Sequence, residues 1–185
     1  MDKRLKLLVS AKYLFSTMGF DKTSIRDIAN HAQVNSSMIS YYFGGKEGMI
    51  EAIFEAFFPK EDICSEIIDP IKQLEQIIRR IIEIRKNDPE LVDFLHREIV
   101  SKNNMVIIKP YIEPFWNDIR ELLVAGKSKR YFEFDSLEVA FSYIQASMSY
   151  PYHYNVLSAE DQSIDLSNEF TEELIQLVMK GILRK

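Results

Sequence analysis

The feature that most constrains this chain is the crowding of helix-period apolar residues and turn signals into its first 58 positions. Leu5, Leu8, Ala11, Leu14, Phe15 and Met18 recur at spacings of three and four, and Gly19 follows as a stop. Thr23 and Ser24 open a second short segment, Ile25, Ile28, Ala29 and Ala32. Asn35 and Ser36 offer a cap to a third, which ends at Phe43, Gly44 and Gly45. A fourth runs from Lys46 to Phe58 with Met49, Ile50, Ile53, Phe54 and Phe57 on one side, and Pro59 ends it. The first 58 residues thus hold four helices joined by very short turns.

The remainder is helical in the same sense. Apolar periodicity places helices near 61–68, 70–86, 89–101, 110–125, 136–150 and 167–183. Pro70, Pro89 and Pro110 fall at expected helix starts, where a missing N–H costs little, and Pro114 falls in a first turn. Pro151 is expected to end a helix, with 151–166 a loop whose SYPYHYN stretch forms a mobile lid. Alternating polar and apolar runs bounded by turn pairs are missing. The expected fold is all-α, of about nine helices: a three-helix N-terminal head and a helical body.

Charge divides the chain at the same place. The net charge of −5 looks unfavourable for nucleic acid. Residues 1–50 nevertheless carry seven basic side chains against four acidic ones, a net of +3, and four of the six glycines; the rest carries −8. The expected domains are therefore 1–50, with a linking helix at 46–58, and 51–185. The 46% of apolar residues excludes a disordered chain, and the longest apolar runs are too short to cross a bilayer. The start, MDKRLKLLVSAKYLF, lacks a small-residue cleavage site. One cysteine, Cys64, permits no internal disulfide or zinc cluster, so a reducing, cytoplasmic setting is expected.

An enzyme finds little support. His31, His96 and His153 are scattered, and His96 and Glu98, two apart, lie on different helix faces. Neither G-x-S-x-G, a phosphate-cradling glycine loop nor H-E-x-x-H occurs. No catalytic residue, metal site or cofactor is expected.

The most specific segment is SIRDIANHAQVNSSMISYYF, residues 24–43, which reads as helix, tight turn, helix. Ile28, Ala29, Val34 and Ile39 supply its small or aliphatic core. Asn35, Ser36, Ser37, Met38, Ser40, Tyr41 and Tyr42 are left on the second helix and its start, as short or flat side chains suited to a major groove. Lys46, opening the next helix, adds a cation where free backbone N–H groups favour phosphate.

From AKYLFSTMGF through TSIRDIANHAQVNSSMISYYFGGKE to about residue 57, the chain resembles the DNA-binding head of the TetR/AcrR regulators. The resemblance implies that Thr23 and Ser24 cap the first motif helix and contact a phosphate, and that Arg26 reaches the backbone. Ser36, Ser37, Met38 and Tyr41 would face base edges or nearby phosphates, Tyr42 would bond a phosphate, and Lys46 would anchor the opposite flank. Two positions depart from the family pattern. Gln33 stands where glycine is common, so a left-handed backbone there would be strained. Ser40 stands where an aromatic is common.

For the body, the resemblance implies a homodimer on a palindromic double-stranded DNA operator, repression, and release by a small lipophilic effector. Leu137, Ala140, Phe141, Ile144 and Met148 line one C-terminal helix, and Phe170, Leu174, Leu177, Val178 and Gly181 the other. Two such pairs would form a four-helix dimer bundle; the same stripes would also serve one protomer's core. Phe94, Met105, Tyr111, Phe115, Trp116, Tyr143 and Tyr150 are dense enough in aromatic and flexible side chains to line an effector pocket, or to be plain core. An effector would act by pivoting the helix that starts near Lys46. The alternative keeps the DNA-binding head, without a ligand, and makes the body a protein-interaction platform. No membrane partner is expected.

Overall fold

The computed structural model describes residues 2–58, 69–157 and 166–183, with the side chains of 149–157 excepted. Among the described residues are nine helices: α1 Lys3–Met18, α2 Ile25–Ala32, α3 Ser37–Phe43, α4 Lys46–Phe57, α5 Pro70–Asn87, α6 Pro89–Ser101, α7 Met105–Ser128, α8 Leu137–Leu157 and α9 Asn168–Ile182. Strand-like pairing among them is limited to one antiparallel bridge between Phe132 and Leu183. The all-α expectation and the four helices of the first 58 residues hold. The segment expected at 61–68 lies outside the described residues.

Three prolines sit differently from expectation. α7 begins at Met105, so Pro110 and Pro114 both lie inside it rather than at its start. Likewise α8 continues through Pro151 to Leu157, so the whole SYPYHYN stretch expected as a lid is helix; residues 158–165 of the expected loop lie outside the described residues. A proline removes one amide from the ladder, and neighbouring apolar packing can outweigh that loss.

The helices gather into two compact units, and these do not follow a linear cut at 50–51. One holds Met1–Lys60 with Asp88–Glu113, the other Glu61–Asn87 with Pro114–Lys185. In the first, Leu7, Leu8, Phe15, Ile28, Ile39, Met49, Ile50, Ile53, Phe54 and Phe94 are fully buried. Phe94 of α6 reaches Phe15 of α1 at 5.4 Å and Phe54 of α4 at 5.9 Å between ring centroids. α6 therefore completes the core under the head, which is why it groups with residues before 60.

Polar links hold α6 at both ends. Lys12, 7% exposed, places its ammonium 2.5 and 2.6 Å from the two carboxylate oxygens of Asp88 and 4.4 Å from the Phe57 ring centre. Asp88 also accepts from the Leu91 N–H as the cap of α6. At the other end Glu98 is 3% exposed, and its Oε2 accepts from Asn104 Nδ2 at 2.6 Å. Beside it, Asn103 Nδ2 donates to Asp21 Oδ2 at 2.7 Å. Burial pushes the Glu98 carboxyl above the usual carboxylate range, with Asp21 adding to the rise while Asn104 and Lys46 oppose it.

In the second unit, Leu74, Ile77 and Ile78 of α5 join Ile119, Leu122 and Leu123 of α7 and the inner faces of α8 and α9. Arg79 bonds Glu172 bidentately, and Arg120 bonds Glu138 at 2.6 and 3.0 Å. Both pairs are solvent-exposed, so water screens their attraction and they contribute little to stability.

Candidate nucleic-acid interface

α2 starts with a reciprocal cap. Ser24 Oγ accepts from the Asp27 N–H at 3.1 Å, while Asp27 Oδ2 accepts from the Ser24 N–H at 2.8 Å. The hydrogen bonds from Ser24 hold the Asp27 carboxyl below its ordinary range. Ser24 caps as expected. Asp27 was readable in the sequence as the fourth residue of an S-x-x-D cap.

Thr23 behaves differently from its neighbour. It is 1% exposed, and its hydroxyl donates to Gly19 O at 2.8 Å and Leu14 O at 3.3 Å. Thus it ties the α1–α2 turn rather than facing a phosphate, a correction to its expected role.

The turn between α2 and α3 is closed by two backbone bonds, Gln33 N–H to Asn30 O at 3.1 Å and Val34 N–H to Ala29 O at 3.0 Å. This pairing is a Schellman end, and it needs a left-handed residue. Gln33 takes that conformation, with φ 55° and ψ 45°. Asn35 Oδ1 then accepts from the Ser37 N–H and the Ser37 hydroxyl, both at 2.9 Å. So Asn35, not Ser36, caps α3 with its side chain.

α3 turns Ile39 inward and leaves a hydroxyl-rich face outward. Ser36, Ser37, Ser40 and Tyr41 are exposed, Tyr41 at 78%, and Met38 and Tyr42 are half-buried. Arg26 on α2 and Asn35 are exposed as well. Tyr41 and Tyr42 meet edge-on at 5.1 Å. His31 is exposed at the end of α2; its Nδ1 lies 2.9 Å from Ser10 Oγ and its ring stacks on Tyr13.

Lys46 is more engaged than expected. Its ammonium donates to Phe20 O at 2.8 Å and Thr23 O at 3.0 Å, and lies 4.0 Å from the Phe20 ring centre. Two of its three donors thus hold the α1–α2 turn. Gly48, in the first turn of α4, permits a close approach to the end of α3. A Cβ there would lie 1.9 Å from the Phe43 carbonyl oxygen.

The remaining expected sites divide between the two units. Phe94, Met105 and Tyr111 belong to the first, where Phe94 is core and Tyr111 stacks on Phe54 at 5.3 Å. Phe115, Trp116 and Tyr143 belong to the second, where Trp116 meets Phe141 edge-on at 5.8 Å. Tyr143 is exposed and its hydroxyl donates to Leu177 O at 3.0 Å. The side chain of Tyr150 lies outside the described residues. None of the seven lines the open depression of about 360 Å³ formed by Val124, Lys127, Ser128, Phe134, Asp135 and Leu137.

Of the two C-terminal stripes, Ala140, Phe141, Ile144, Met148 and Val178 are buried in the core of their own unit, the second of the two roles open to them. Leu137, Phe170 and Leu174 are half-buried; Leu177 is 62% exposed and Gly181 is exposed. Gly181 receives Tyr143, whose oxygen would sit 2.7 Å from a Cβ at that position. Val139, not singled out from the sequence, is 69% exposed on α8.

Among the described residues no three His, Cys, Asp or Glu side chains group as metal ligands, and no helix is long and apolar enough to cross a membrane.

Comparison with known proteins gives a consistent result. Residues 7–53 match the family model of bacterial regulatory proteins, tetR family. The chain is 34% identical over 108 residues to a protein of Bacillus subtilis described as "Probable HTH-type transcriptional regulator YttP", covering 55% of this chain and 52% of that one. It therefore spans about half the length of that relative. It is 27% identical over 162 residues to the HTH-type transcriptional repressor NicS of Pseudomonas putida, covering 82% of this chain and 76% of that one. The fold superposes on the crystal structure of HlyIIR, a hemolysin II transcriptional regulator, with a TM-score of 0.76. That match covers 99% of this chain and 98% of HlyIIR at 24% identity, a likeness of fold.

Proposed function

We propose, from the premise that this chain belongs through its N-terminal head to the tetR family of bacterial regulatory proteins, that it regulates transcription by binding double-stranded DNA. The observation that carries this reading is the exposed hydroxyl and aromatic face of α3, set on a buried Ile39 behind a closed turn. Ser37, Ser40 and Tyr41 would meet base edges in the major groove. Arg26, Ser36 and Tyr42 would bond flanking phosphates. Thr23 and Lys46 would act chiefly by fixing the turn.

The same reading includes a homodimer. One recognition helix touches few base pairs, and two related by a dyad read half-sites about 34 Å apart. Leu174, Leu177, Tyr143 and Val139 offer an outward apolar face on α8 and α9 for such pairing. We also infer repression and release by a small lipophilic effector, in keeping with the family. A second reading, a body that docks a partner protein, is favoured by Val100 and Val106, 69% and 90% exposed at the α6–α7 corner.

Capture of genomic fragments by the purified chain, followed by sequencing and anisotropy titration, tests the central claim. The expected result is a palindromic site held at least 1000-fold more tightly than random duplex, as specific regulators usually do. Replacing Tyr41 with Ala should reduce that preference with little change in binding to random DNA. Equal affinity for every fragment would reject sequence-specific regulation.

A further inference from the structure

The first turn of α1 carries a cation that the proposed interface does not yet use. Lys3, Arg4 and Lys6 are all exposed, and none has a carboxylate partner among the described residues. Arg4 differs from the two lysines in being seated. Its guanidinium carbon lies 5.5 Å from the centre of the Phe43 ring, at the C-terminal end of α3. Phe43 in turn lies 6.0 Å from Tyr42, ring centre to ring centre. The backbone beneath Arg4 is held as well, because Leu7 and Leu8, the next residues on the inner face of α1, are fully buried.

The chemistry of the group decides what such a seat leaves open. A guanidinium over a ring uses its flat face, while its N–H donors point outward in its own plane. That planar fork matches two oxygens of one phosphate. A side chain already oriented by a ring also loses less freedom on binding than a free lysine does.

We propose that Arg4 is a further phosphate-binding residue of the DNA interface, held by Phe43 beside the Tyr42 end of α3. This rests on the DNA-binding reading above and extends it to a residue outside the helix-turn-helix. Arg4 fixes the recognition helix against the sugar–phosphate backbone at the end opposite its cap. It carries no base preference of its own.

The test is a salt titration of the full chain on a random-sequence 30-base-pair duplex, comparing wild type, Arg4→Gln and Arg4→Lys. Arg4→Gln should flatten the slope of log K against log salt by about 0.9 for each bound head. Arg4→Lys, which restores the charge, should recover most of that slope at weaker affinity. Unaltered helical circular dichroism and melting confirm that the exposed substitution leaves the fold in place. A salt-dependent wild type with an unchanged slope in Arg4→Gln overturns this proposal and leaves the DNA-binding reading standing. A wild type that holds no duplex at low salt overturns both.

Discussion

Individual side chains in this protein are assigned their tasks by burial more than by type. Thr23 and Ser24 are adjacent hydroxyl residues, yet one is sealed between two carbonyls and the other caps α2 in the open. The sequence does not distinguish them, because which hydroxyl turns inward depends on where α1 ends. Gln33 was legible: its strain was expected from the turn position, and it is left-handed. Glu98 was not, since a carboxylate two residues from a histidine gives no sign of being buried. Its raised pKa has a consequence for stability. A carboxyl whose folded pKa is raised favours folding while it is protonated, and that contribution is lost as pH climbs through and beyond the usual carboxylate range. Glu98→Gln keeps an oxygen for Asn104 and removes the charge. We expect it to raise the melting temperature at pH 7–8 and to leave it unchanged near pH 4. A variant that melts lower at pH 7 would show that the ionised carboxylate stabilises the corner.

Among the helices, positions of type and period were read well and boundaries were read poorly where proline intervened. Pro110, Pro114 and Pro151 each looked like punctuation and each lies inside a helix. Local chemistry predicts the lost amide but not the tertiary packing that outweighs it. Ile108, Ile112 and Ile119 of α7 are buried on either side of those prolines. Glycine misled in the opposite sense. Gly48 gave no turn signal because its work is to let α4 pass close to the last carbonyl of α3. A methyl group at that position meets backbone, which cannot swing aside. Gly48→Ala should cost about 1–3 kcal/mol, as overpacked sites do, despite the better helix propensity of alanine. Urea unfolding at constant m-value measures it. A gain in stability would mean that α3 and α4 separate freely.

For the molecule as a whole, charge divides the chain in sequence, whereas the compact units draw on segments from both sides of that division. The expected head is residues 1–50 with its linking helix at 46–58, and the core of the first compact unit also takes in Phe94 and Leu91 of α6. Contacts between residues far apart in sequence leave no local mark, so α1 and α6 could not be paired by inspection. The C-terminal stripes were similarly ambiguous: the periodicity of Ile144 or Val178 is identical whether a helix faces its own core or a second chain. The outward residues carry the assembly prediction. Leu177→Glu should shift a dimer to monomer in sedimentation velocity and weaken operator binding. The monomer fold should survive, because this side chain is already 62% exposed. A variant that remains dimeric would place the contact on another face.

The ion pair between Lys12 and Asp88 carries a consequence in time. A ribosome adds about 5–20 residues per second, so about 3–10 s separate the emergence of α4 from the end of the first unit near Glu113. Throughout that interval Lys12 has no Asp88, Phe15 and Phe54 lack the ring of Phe94, and residues 61–87, which belong to the other unit, must be made first. The core around Phe15 and Phe54 is therefore incomplete until α6 has been made. The first unit is complete only once residues up to Glu113 have been made.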